Sequence, residues 1–143
     1  MKTFGIVLAV WAGLIVLALA AFLVAKIPGS TEEIEAVADS YPVDESWLLA
    51  SEQIVPPRIL CFDSVPCPSV QRHYVLPAAV SMEDFTERAR SMGLDTIEGD
   101  CVENEGRSVQ TACHAHGTVG GFEVTVDSVI DHGEPRLKVE VGQ

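Results

Sequence analysis

Hydrophobic and polar positions divide this chain into three regimes. From Phe4 to Ala25, 22 consecutive residues carry no charge, and Lys2 and Lys26 bracket the run. As a helix rising about 1.5 Å per residue it reaches about 33 Å, enough to cross a bilayer core about 30 Å thick. A soluble surface helix needs a polar face, and this run has none. Ala18-Leu19-Ala20 offers a signal-peptidase pattern, but cleavage there would leave AFLVAK apolar at the new terminus. The run is also long for a cleaved peptide, so it reads as an uncleaved signal anchor over residues 1–26.

The second regime, residues 27–57, alternates short apolar clusters with acids. Pro28-Gly29 stops the first helix, and Ser30 with Glu33 has capping-box spacing for a short helix through Ala38. Tyr41-Pro42 ends it. Trp47, Leu48, Leu49, Ile54 and Val55 predict a second short helix, closed by Pro56-Pro57.

The third regime, residues 58–143, carries the patterning of a small domain. Val70–Leu76 reads as a strand. Ser81 caps a helix over Met82–Met92 with Met82, Phe85, Ala89 and Met92 on one face, Asp84 and Arg88 paired at i, i+4, and Gly93 as its stop. Period-two alternation follows over Thr96–Glu103, Ser108–Val119, Phe122–Ile130 and Arg136–Val141. The turns between them are Asn104-Glu105-Gly106, Gly120-Gly121 and His132-Gly133-Glu134-Pro135. The expected fold class is α+β, an N-terminal transmembrane helix followed by a small disulfide-stapled domain. Its order is β-α-β-β-β-β, with one helix packed on a mostly antiparallel sheet of four to five strands.

Charge sharpens this division. Residues 27–57 hold seven acids and no base, whereas residues 58–143 hold fourteen acids and seven bases. The first stretch therefore reads as an acidic stalk with short helices, the second as the folded domain. The whole chain has a net charge of −12, which excludes the basic stripe that a nucleic-acid binder requires.

Cysteine placement and flanking charge set the orientation. Cys61, Cys67, Cys101 and Cys113 all follow the apolar run, an even count that suits an oxidising compartment. Lys2 and the terminal amine precede the run, so positive-inside places the N-terminus in the cytoplasm and the domain outside the cell membrane. Four cysteines allow three pairings. Proximity favours Cys61–Cys67, closing a ring stiffened by Pro66, and Cys101–Cys113, stapling the hairpin of the second and third strands. Within the apolar run, Gly5, Ala9 and Gly13 line one helix face at four-residue spacing, a pattern of close-packed homodimers in lipid as well as of ordinary spans.

Catalytic signatures are missing. C-x-x-C, H-E-x-x-H, G-x-S-x-G and the P-loop pattern do not occur, so the chain reads as non-catalytic with no cofactor implied. His114-Ala115-His116 is the one constellation with chemistry in it. Residues two apart on a strand share a face, so both imidazoles point the same way. A two-residue Gly120-Gly121 turn sets His116 opposite Thr125 and His114 opposite Asp127. Setting Cys101 opposite Cys113 then puts Asp100 opposite His114 and Glu98 opposite His116.

Three readings fit that patch. It is a solvated face with ordinary cross-strand charge pairs, with Lys138 competing for Asp127. It is a divalent-metal site built from His114, His116, Asp100 and Asp127. Or it is a pH sensor, since carboxylates favour the imidazolium. His73 and His132 sit in less suggestive settings. In the stalk, Trp47 with Leu48 forms an aromatic-apolar pair fit either to anchor a partner or to pack on its own domain. The expected function is a membrane-anchored extracytoplasmic interaction or accessory domain whose partner is an envelope protein or polymer. The alternative is a metal-binding or pH-sensing domain using His114 and His116.

Overall fold

The computed structural model describes residues 13–18, 30–57, 67–102 and 109–142. Residues 13–18 are helical. The remainder of the Phe4–Ala25 run, with Gly5 and Ala9, lies outside the described residues, as do Cys61 and the expected Asn104-Glu105-Gly106 turn. Among the described residues, no helix is long and apolar enough to cross a membrane.

One six-stranded antiparallel sheet organises the chain. In chain order the elements are α1 (Thr31–Asp39), β1 (Leu48–Val55), β2 (Ser69–Val75), α2 (Met82–Met92), β3 (Thr96–Gly99), β4 (Val109–Val119), β5 (Phe122–Asp131) and β6 (Glu134–Gly142). Across the sheet the order is β1-β2-β6-β5-β4-β3. Both helices bury apolar residues in a single core against one sheet face. Ile34 and Ala38 come from α1, Phe85, Ala89 and Met92 from α2, and Val124, Val126, Leu137, Val139 and Val141 from the central strands.

The helices begin and end where local chemistry dictates. Ser30 and Glu33 form the reciprocal capping box at the start of α1. Ser81 accepts a hydrogen bond from the Asp84 amide, and Gly93 closes α2 in the left-handed conformation. Arg88 pairs with Asp84 at 3.1 Å, as the i, i+4 spacing predicts. Two tight hairpins build the β4-β5-β6 meander, with positive φ at both turn residues, Gly120-Gly121 and His132-Gly133.

Residues 48–55 are a strand, not the helix that their apolar clusters predict, so the sheet has six strands rather than four or five. Asp44 accepts hydrogen bonds from the Ser46 amide and hydroxyl, and the Trp47 amide donates to the Asp44 carbonyl. That closes one turn and releases the chain extended. The edge of β2 then satisfies the backbone of β1, a tertiary gain that outweighs weak local propensity. Arg72 fixes the arrangement from beneath, reaching Asp39 of α1 at 2.5 Å and Glu52 of β1 at 2.7 Å. The acidic residues 30–57 therefore pack into the domain rather than standing off as a stalk.

One disulfide staples the domain where proximity suggested. Cys101 and Cys113 are bonded, with Cα atoms 4.6 Å apart. Cys67 is disulfide-bonded as well; its expected partner, Cys61, lies outside the described residues.

Tyr41 follows α1 into the core, where its hydroxyl is buried with no hydrogen-bond partner among the described residues. Burial raises its pKa well above the ordinary phenol value. An orphaned buried hydroxyl carries a desolvation cost with no compensating bond. Tyr41→Phe should leave stability unchanged or raise it by up to about 1 kcal/mol, read from the urea midpoint. A loss of about 1 kcal/mol or more would mean that the hydroxyl is hydrogen-bonded after all.

Candidate functional site

Both helices lie on one side of the sheet, so the other side carries the polar halves of the strand alternation. β5 shows this plainly: Phe122, Val124, Val126, Ser128 and Ile130 are buried, whereas Glu123, Thr125, Asp127, Val129 and Asp131 face outward. The registers bring two polar rows together across this face. One runs Glu98, His114, Asp127, Lys138, His73, Ser51. The next runs Thr96, His116, Thr125, Glu140, Gln71, Gln53.

Contacts within the rows sort the charges. His114 Nδ1 lies 2.6 Å from Asp127 Oδ1. Lys138 stands opposite Asp127 in register but turns along its own strand to Glu140, at 2.5 Å. Gln71 donates to the other Glu140 oxygen at 3.0 Å. Lys138 thus leaves Asp127 to the histidine, against the competition expected from sequence. The His114 and His116 rings sit 5.2 Å apart, centroid to centroid. A shallow depression of about 370 Å³ opens over them, also lined by Thr118, Glu123 and Thr125. His73 is held below the ordinary imidazole pKa by partial burial, with Lys138 and Arg136 adding to the effect.

The β4–β5 register matches expectation at His114–Asp127, His116–Thr125 and Val119–Phe122. The β3 register does not. Gly99, not Cys101, stands opposite Cys113, which puts Glu98 opposite His114 and Thr96 opposite His116. Asp100 lies beyond the strand end, where its Oδ1 accepts the Val102 amide. It therefore drops out of the His114 neighbourhood, and the four expected metal ligands are not assembled. The cause is local. A bulge in β4 between Thr111 and Cys113 lets the Ala112 carbonyl accept the amides of both Asp100 and Cys101. Cys101 adopts a left-handed φ of 58° and turns back, so its sulfur still reaches Cys113. Among the described residues, no three His, Cys, Asp or Glu side chains converge to hold an ion as placed.

The two expected partner-binding residues separate. Trp47 is half-buried against its own core, 6.4 Å from the Tyr74 ring, with the Arg88 guanidinium 4.7 Å above its face. Leu48 remains 69 % exposed on the sheet edge, and Leu49 and Ile54 of the same strand are also exposed. Sequence reasoning missed Leu49 and Ile54 as surface residues because the helical reading of 47–55 hid the edge. Compared with known proteins, the chain matches no family model, no curated protein and no solved structure.

Proposed function

We propose that this chain is a non-catalytic binding domain, held outside the cell by its N-terminal apolar run, that captures an envelope protein by strand addition along β1. The observation that carries the reading is the exposed edge formed by Leu48, Leu49 and Ile54. Among the described residues β1 has no strand on its outer side; such an edge offers a row of backbone donors and acceptors, and soluble proteins normally blunt it with charge, proline or bulges. β1 has no proline or lysine between Leu48 and Val55, and its one charge, Glu52, is engaged by Arg72. A single irregularity between Leu49 and Ser51 is all that interrupts it. An incoming extended segment would gain main-chain bonds from the edge and apolar contact from Leu48 on one face and Leu49 with Ile54 on the other.

The test is crosslinking in native membranes with the full-length chain, read by mass spectrometry. The wild type should yield a reproducible heterologous crosslink at β1, and Leu48→Glu/Ile54→Lys should lose it while its circular dichroism is unchanged. Crosslinks that survive the double substitution, or that join only copies of this chain, would overturn the reading.

A further inference from the structure

The polar face of the sheet has no part in strand addition at β1, yet it carries a pair of imidazoles set in a way that solvated charge pairs do not need. We propose that His114 and His116 clamp a divalent transition-metal ion that prefers imidazole nitrogen, zinc or copper(II) being the type.

The first argument is distance. Imidazole nitrogen binds such an ion at about 2.0–2.1 Å, and two rings at a tetrahedral angle then have centroids about 5 Å apart. The observed separation is 5.2 Å. β4 pairs with β5 in unbroken register from Cys113 to Val119, so the strand beneath the clamp is regular and held on both sides at His114 and His116, by β5 and β3. The strand therefore holds the two rings at the spacing a clamp requires.

The second argument is tautomer. Asp127 is a hydrogen-bond acceptor, so its 2.6 Å contact holds the proton of His114 on Nδ1 and leaves the Nε2 lone pair for a ligand. A carboxylate behind a ligating histidine fixes ring orientation and raises ligand basicity. Asp127 is free for that duty because Lys138 is drawn to Glu140.

The third argument is access and charge. The depression over the two rings is open to water, and the Glu123 carboxylate lines it. Glu98 stands opposite His114 on β3, so anionic groups flank the clamp on both neighbouring strands. As placed, the protein supplies two nitrogens and no converging third ligand among the described residues. Water or a donor from a bound molecule fills the remaining positions, which makes this an open site rather than a closed structural one.

The experiment is calorimetric titration of Zn²⁺ into the full-length chain in detergent micelles, paired with electron paramagnetic resonance of bound Cu²⁺. The wild type should bind one equivalent, with hyperfine coupling to two imidazole nitrogens. His114→Ala and His116→Ala should each weaken binding at least tenfold and leave one nitrogen coupling. Asp127→Asn, which does not touch the ion, should weaken zinc binding about tenfold while both couplings persist. His132 is the control, because it too sits beside a carboxylate, 2.7 Å from Asp131, on an exposed turn. Binding in the His114→Ala/His116→Ala double variant equal to the wild type overturns the proposal. So does a signal lost only in His132→Ala, or a Cu²⁺ spectrum without a second nitrogen.

Discussion

Replacing Cys101 and Cys113 together by alanine should lower the stability of the domain by about 3 kcal/mol. The bond joins residues 12 apart in sequence. Closing a loop of that size in the unfolded chain removes about 3 kcal/mol of conformational freedom that the reduced chain regains. Both cysteines are buried, so alanine also removes sulfur packed against the core, and Met82 loses its 3.6 Å contact with the Cys101 sulfur. The measurement is urea denaturation of the oxidised wild type against the double variant, with the slope of the transition compared as well as the midpoint. Loss of the crosslink should act chiefly on the unfolded state, so the variant's transition should be steeper as well as earlier. A loss below about 1 kcal/mol would mean that the unfolded ensemble is held compact by other means.

The same bond explains how much of the site was legible in advance. Of three possible pairings, proximity favoured Cys101 with Cys113, the pair the structure shows, and the β4–β5 register was readable because a two-residue diglycine turn allows only one alignment. His114 opposite Asp127 was therefore readable from the chain. Glu98 opposite His114 was not. Counting back from a cysteine pair assumes that the bonded residues lie directly across from one another. Here the bulge at Ala112 and the left-handed turn at Cys101 let the sulfurs meet with the strands displaced by two residues. Two is the period of the pleat, so Glu98 and Ile97 kept their faces while every partner changed. Polarity patterning is blind to a displacement of that size.

Residues 47–55 fail for a different reason. Their apolar positions fit neither period cleanly, and the segment has little preference of its own. Its conformation is set by the open edge of β2 and by Arg72, a residue 20 positions away from Glu52 in the chain. By contrast α2 was readable to both ends, since Ser81, the Asp84–Arg88 pair and Gly93 are all local signals that tertiary packing did not override. Where a signal was local it was legible, and where it depended on an edge or a bulge it was not.

Gly99 is where that displacement is fixed, and its replacement should be the sharpest single-residue lesion near the histidines. Gly99 has a φ of 93°, and a side-chain carbon added there would collide with the Ala112 carbonyl oxygen and crowd the Cys113 Cα at 2.9 Å. Both obstacles are backbone, so neither can swing aside, and the bulge that placed them is braced by the disulfide. Gly99→Ala should cost about 2–3 kcal/mol, combining left-handed strain with the collision. Gly93 separates the two contributions. Its φ is 94°, nearly the same, but nothing lies within 4 Å of an added carbon. Gly93→Ala should therefore cost about 1 kcal/mol, from conformation alone. Urea midpoints of the two variants give the collision as their difference. Hydrogen exchange should show the amides of Thr96–Gly99 losing protection in Gly99→Ala but not in Gly93→Ala, because only the first forces β3 off β4. Equal costs at the two glycines would mean that β3 moves away from Ala112 without penalty. The bulge would then not be what holds Glu98 across from His114.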